Sequence, residues 1–209
     1  MVSTLTEKDS AIALEALAIG ASTGGIEAIE TILLQLPKVF PPILIVQHIK
    51  KEFNAAFSKR IRKLYGLSIV EPENNMEIIP GCIYIAPGQY HFTVQKHKNS
   101  YIAVLEDSPP VKNHKPSITK LFSSVAEAAG AHSVGILLTG MGSDGAIGLK
   151  AIHDAGGLTI AQDEESSVVW GMPSAAIKID AVDYIVSLNN IPQKMLQILD
   201  FKMTGIKIP

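Results

Sequence analysis

Short apolar runs separated by longer stretches of helical period are the feature that most limits what this chain can fold into. Ala16–Gly20, Ile43–Gln47, Ile83–Ala86, Ser133–Thr139, Leu158–Ala161 and Tyr184–Ser187 have the length and composition of strands. The segments Gly25–Gln35, Glu52–Leu64, Ser117–Ala129, Gly145–Ala155, Pro173–Ile177 and Pro192–Leu199 repeat apolar residues at helical spacing. Nearly continuous apolar strands alternating with helices predict an α/β fold: a doubly wound, mostly parallel sheet with helices on both faces. The stretch His91–Glu106 breaks the alternation. Its two β-prone halves flank His97-Lys98-Asn99-Ser100 and predict an antiparallel hairpin attached to the main sheet. No repeat or linker divides the chain, so the expected organisation is a tail over residues 1–15, one domain over 16–200 and a second tail over 201–209.

Composition narrows the class. With 209 residues, 47% hydrophobic and 18% charged, the chain can bury a substantial core and is not of the disordered type. A net charge of −2 without a basic run offers nothing to nucleic acid or an anionic membrane. The single cysteine, Cys82, can form no internal disulfide, which suits a reducing compartment. The N-terminal residues lack the layout of a signal peptide, and no apolar run approaches ~18 residues. The expectation is a soluble, cytoplasmic protein without membrane insertion.

In open α/β sheets, functional groups collect beyond the carboxyl ends of the strands. Three residues fall on that rim independently: Ser22 after the first run, His48 after the second, and Asp144 after Ser133–Thr139. Gly20-Ala21-Ser22-Thr23-Gly24 fits the G-x-S-x-G turn that holds a serine hydroxyl up between strand and helix. A hydroxyl is a weak nucleophile at neutral pH and needs a base, which His48 can supply. Asp144 can accept from that histidine, fixing its tautomer and stabilising the imidazolium. The glycine-dense turn Gly140-Met141-Gly142-Ser143-Asp144-Gly145 leaves main-chain N–H groups accessible. Met141 and Thr23 are therefore the candidates for oxyanion donors. Gly24, Gly140, Gly142, His114 and Met172 are candidates for the substrate site.

Each residue also has a plainer reading. Ser22 can cap the helix that follows it, His48 can be an exposed loop histidine, and Asp144 can be the N-cap of its own helix. Rival chemistries fit less well. A dinucleotide site wants G-x-G-x-x-G and an acid at the second strand's end, where this chain has Ser22 and Gln47-His48. The P-loop pattern is absent, as is H-E-x-x-H, and no metal or cofactor is expected.

The order Ser, His, Asp along the chain, with several local segments, resembles the catalytic domain of the chemotaxis methylesterase family CheB. The segments are Ala18-Ile19-Gly20-Ala21-Ser22-Thr23-Gly24-Gly25, Val46-Gln47-His48, Tyr84-Ile85-Ala86-Pro87-Gly88, Leu137 to Ala146, Ala161-Gln162-Asp163 and Gly171-Met172-Pro173. Asn113-His114-Lys115-Pro116-Ser117 resembles a further segment, with Asn113 and Lys115 where the family usually has arginines. The resemblance implies Ser22 as nucleophile, His48 as base and Asp144 as its orienting acid. It also implies hydrolysis of glutamyl methyl esters on the cytoplasmic part of chemoreceptors, releasing methanol, with deamidation of receptor glutamines in some members. An idle adaptor of the same fold, binding receptor or methyltransferase, and an esterase for another ester are the alternative readings. Family members usually carry a receiver domain before the esterase. The expectation here is a stand-alone enzyme regulated, if at all, by a separate receiver protein in trans.

Overall fold

The computed structural model describes residues 15–37 and 39–204. The tail expected over residues 1–15 therefore lies, but for Glu15, outside the described residues. A seven-stranded parallel sheet forms the centre of the molecule. Its strands are β1 (Ala16–Ala21), β2 (Ile43–Gln47), β3 (Ser68–Val70), β5 (Cys82–Ile85), β8 (Ser133–Leu137), β9 (Leu158–Gln162) and β10 (Tyr184–Val186). They lie in the order β10-β9-β8-β1-β2-β5-β3. The chain winds outward from β1 in both directions, so the switch point of the winding falls between β1 and β8.

The central strands read as continuous apolar runs because helices cover both faces. All residues of β1, β2 and β8 are buried. On one face Leu17, Ile19, Ile43 and Ile45 pack against α1 (Gly25–Leu33), α2 (Lys51–Tyr65) and α6 (Ile191–Thr204). On the other, Ala16, Ala18, Leu44 and Val46 meet α3 (Ile118–Ala129), α4 (Ala146–Asp154) and α5 (Gly171–Ile177). The small residues of β1 on this second face let α3 approach closely. A Cβ on Gly20 would lie 2.2 Å from Cγ2 of Ile118, so the first turn of α3 sits directly over the carboxyl end of β1. The sixth helix runs to Thr204, past the Leu199 limit read from its periodicity.

The hairpin is present but is not part of the main sheet. Strands β6 (His91–His97) and β7 (Ser100–Glu106) join β4 (Glu77–Ile78) in a separate antiparallel sheet. Phe92, Val94, Tyr101 and Ala103 turn their apolar face onto Leu121, Phe122 and Val125 of α3. The N–H of Val94 donates to Oγ of Ser124 at 3.0 Å. The third helix is thus buried between two sheets, and its neighbours reach it from both sides. Alternation along β6 and β7 signals one buried face, but not whether that face meets a helix or another strand's edge.

Candidate functional site

The first, second and eighth strands end side by side, and main-chain hydrogen bonds carry the pairing one step into the loops. The N–H of Leu138 donates to Gly20, that of Ser22 to Thr139 and that of His48 to Ala21, at 2.9, 3.0 and 2.9 Å. Gln47, at the end of β2, is buried, and its Nε2 donates to the carbonyls of both Ser22 (2.8 Å) and His48 (3.1 Å). One amide nitrogen therefore ties the serine turn to the histidine. Gly25 is needed for this tie, because a Cβ there would come within 2.2 Å of the Gln47 Oε1. Gly24 takes φ 78°, a left-handed conformation that lets the chain turn from β1 into α1.

The loop after β8 closes the site from the other side. A Cβ on Gly140 would lie 2.6 Å from the Ser22 Cβ and 2.5 Å from the Met172 Sδ, so only glycine permits this approach. Met172 is fully buried beneath Gly140. It shapes the turn from below, so its bearing on the substrate site runs through Gly140 and not through an exposed side chain of its own. Thr139 donates through Oγ1 to the Thr23 carbonyl at 2.9 Å, and its own N–H donates to Oε1 of Gln162 at 2.9 Å. Among the described residues the N–H groups of Thr23 and Met141 have no hydrogen-bond partner. The Met141 side chain is 74% exposed beside them.

Asp144 is 1% exposed, and its carboxylate accepts five hydrogen bonds. Oδ1 takes the Ser117 hydroxyl (3.0 Å) and the N–H groups of Thr119 (3.1 Å) and Gly145 (3.0 Å). Oδ2 takes the Ile118 N–H (2.8 Å) and Nε2 of His48 (2.9 Å). The local-cap reading of Asp144 thus named the wrong helix. The residue before α4 that serves as its N-cap is Gly145, with no side-chain cap, while Asp144 reaches across to the N-terminus of α3. Free N–H groups and the positive helix end there suit a carboxylate. Burial alone would raise the Asp144 pKa, but the hydrogen bonds from His48, Thr119 and Ile118 outweigh it and hold the group well below the ordinary aspartate value.

With Asp144 ionised, Nε2 of His48 must carry the proton, which leaves Nδ1 as the basic nitrogen. That atom is buried and has no hydrogen-bond partner among the described residues. The outer face of the His48 ring is covered by His114, stacked at 3.8 Å with the planes 4° apart. Burial, and then the neighbouring His48, keep His114 below the ordinary histidine pKa. Beyond the stacked rings lies a cleft of about 330 Å³ lined by His48, Lys50, Asn113, His114, Lys115 and Pro116. No group of three or more metal-ligating side chains occurs among the described residues.

Of the residues singled out by sequence, Ser22, Thr23, Gly24, His48, Gly140, Met141 and Asp144 come together at the switch point, with His114 on the far side of His48. Gly142 takes φ 87° and has open space where a Cβ would stand. Gln47, Ser117, Thr139 and Gln162 were not singled out. Gln47 and Gln162 could have been found as polar residues ending two otherwise apolar strands.

Topology and site define an open, doubly wound α/β domain with a serine, a histidine and a buried aspartate gathered at its switch point. The family model for CheB methylesterase matches residues 17–195, and the chain belongs to that family. It is 44% identical over 183 residues to the protein-glutamate methylesterase/protein-glutamine glutaminase of Hydrogenovibrio crunogenus, covering 88% of this chain and 49% of that protein. The protein of the same name from Pectobacterium atrosepticum is 46% identical over 180 residues, with 86% and 51% covered. The chain thus spans about half the length of the curated relatives it matches. The crystal structure of the Thermotoga maritima CheB methylesterase catalytic domain superposes with a TM-score of 0.85 at 32% identity, covering 88% of this chain and 98% of that one.

Proposed function

We propose that this chain is a protein-glutamate methylesterase that hydrolyses glutamyl methyl esters on the cytoplasmic part of chemoreceptors, with Ser22, His48 and Asp144 as its triad. The supporting observation is the His48 ring: one nitrogen is committed to a saturated, ionised Asp144, and the other is left free. Ser22 Oγ attacks the ester carbonyl carbon while its proton passes to Nδ1 of His48. The imidazolium so formed keeps its second N–H on Asp144. The carbonyl oxygen becomes an oxyanion that the free N–H groups of Thr23 and Met141 are available to receive. Collapse breaks the bond to the methoxy group, which takes the proton from Nδ1 and leaves as methanol. Water then attacks the glutamyl ester on Ser22 and gives its proton to Nδ1; as the tetrahedral intermediate collapses, the bond to Ser22 breaks, Oγ takes that proton back from Nδ1, and the free carboxyl group is released. The nitrogens have the reverse roles to those in the chymotrypsin arrangement, where Nδ1 faces the acid.

In this reading the cleft beyond His114 takes residues flanking the ester, and Gly24, Gly140 and Gly142 leave the main chain open to it. Glutamine side chains, named as substrates of the relatives, would release ammonia by the same steps. A receiver protein in trans is the regulator to test, by adding it with and without a phosphodonor. The central test is methanol release from methylated receptor membranes. Ser22→Ala should fold normally and lose on the order of 10³–10⁶ in rate. A folded variant with near-normal turnover would remove Ser22 from the mechanism.

A further inference from the structure

His91 is fully buried at the start of β6, outside the catalytic constellation, yet its ring is committed at both nitrogens. Nδ1 accepts the N–H of Ser117 at 3.1 Å, and Nε2 contacts the carbonyl of Pro109 at 3.0 Å. A carbonyl only accepts and an N–H only donates, so the ring is neutral with its proton on Nε2. Burial favours the same state, outweighing the hydrogen bond to Pro109. The residue held in this way is the N-cap of α3. Its hydroxyl, with the N–H groups of Ile118 and Thr119, supplies three of the bonds that fix Asp144.

We infer that His91 is a positioning residue for the esterase reaction, acting through Ser117 to set the N-terminus of α3 and thereby the carboxylate that orients His48. The inference rests on the proposed triad for its kinetic consequence, but the chain of contacts exists independently of substrate. Ser117 has one N–H and one hydroxyl; the first goes to His91 and the second to Asp144. Without the acceptor at Nδ1, a buried N–H is orphaned, and the cheapest relief is rotation of the cap away from its place. Such a shift moves donors on both carboxylate oxygens. The antiparallel sheet then has a task in the reaction, because it carries the side chain that locks the helix end.

The test compares His91→Asn, which keeps an acceptor near the Nδ1 position, with His91→Leu, which fills the space without one. His91→Leu should lower kcat on the order of 10–100-fold with KM little changed, the scale expected when reacting groups are misplaced by about 1 Å. His91→Asn should recover most of that loss. In an Asp144→Ala background His91→Leu should cost almost nothing more, because the group it acts through is gone. The proton on Nε2 of His48, followed by NMR without substrate, should lose its hydrogen-bonded position in His91→Leu and keep it in His91→Asn. That resonance separates the two hypotheses: a protein without methylesterase activity would still show it. Equal kinetics for the two substitutions, or an unchanged His48 proton in a folded His91→Leu protein, would overturn the assignment.

Discussion

Around Asp144 the acceptors are filled by the N-terminus of α3, by Gly145 and by His48, whereas around Ser22 several groups are left over. The leftovers are the N–H groups of Thr23 and Met141 and Nδ1 of His48, which have no partner among the described residues. Asp144 is fully enclosed, while Met141 is 74% exposed. The half that orients in the proposed mechanism is built into the fold. The half that changes partners in the proposed mechanism is kept free, so in that reading no existing hydrogen bond has to break before substrate enters.

The largest effect should come from breaking the filled half. Asp144→Asn places an NH₂ group where an acceptor is required. At the Oδ1 position it would face the donors of Ser117, Thr119 and Gly145, and at the Oδ2 position the Ile118 N–H. Asparagine is as good a local cap as aspartate, so a local cap would tolerate the change. Here the expected outcome is loss of about 10⁴-fold in turnover together with about 1–3 kcal/mol of stability for the unmet donors. Turnover and a urea melt on the one variant check both. A stable protein with less than tenfold loss would show that the crowded carboxylate serves structure only.

Next in size is a change on the open half. Gly140→Ala would push a methyl group into the Ser22 Cβ and the buried Met172 sulfur. The loop must move or Ser22 must, and the expected cost is on the order of 10–100-fold in kcat, with a smaller loss of stability because the thioether can yield. Met172→Ala in the same chain should restore part of the rate by making room beneath the turn. Failure of the double variant to recover would point to the Ser22 contact as the sensitive one.

The two halves also differ in how readily the sequence reveals them. Ser22, His48 and Asp144 stand at strand ends, and strand ends can be found from apolar runs alone. That Asp144 caps something was legible too, because it follows glycines and precedes a helix. Which helix it caps was not, since the partner, α3, is brought alongside only when Gly20 and Ala18 let it settle onto β1. The same limit hid Gln47, Ser117 and His91, polar residues whose partners are set by packing rather than by neighbours in the chain. The hairpin is legible in the sequence but the sheet it joins is not, because alternation reports burial and not the covering element. Strands of three and two residues, β3 and β4, give too short a pattern to find.

Acid should separate the halves by pH. His91 and His114 both have pKa values held below the ordinary histidine value, and Asp144 below the ordinary aspartate value. Each of these groups binds fewer protons folded than unfolded, so stability rises with pH across its window. The histidine contributions are complete above about pH 6.5 and are lost as pH falls below it; the Asp144 contribution is lost only below about pH 3.9. Thermal melts should therefore show Tm level above neutrality, a decline beginning between about pH 6.5 and 5, and a steeper one in stronger acid. His114→Gln should remove part of the first decline and leave the second. A Tm independent of pH down to about 4.5 would contradict a buried His91 and a half-buried His114 that are both held neutral.

The smallest effect belongs to the cleft beyond the stacked rings, which is the outer margin of the open half. Lys115 there is already paired with Asp107 at 2.6 Å, whereas no carboxylate among the described residues lies within hydrogen-bond or ion-pair reach of Lys50. Lys50 also precedes the first turn of α2, whose free N–H groups add positive potential. If acidic residues flank the ester and lie in this cleft, their carboxylates meet an uncommitted cation. An exposed pair of this kind is worth about 0.2–1 kcal/mol, so Lys50→Gln should raise KM for a receptor peptide roughly 1.4- to fivefold and leave kcat unchanged. The difference should shrink as salt is raised from about 0.05 to 0.5 M, because screening shortens the reach of the charge. It should be absent for a small neutral ester such as p-nitrophenyl acetate, which has no carboxylate to place. An equal loss on both substrates, or a change in kcat, would mean that Lys50 influences the reacting groups and that the boundary between the open half and its margin has been drawn in the wrong place.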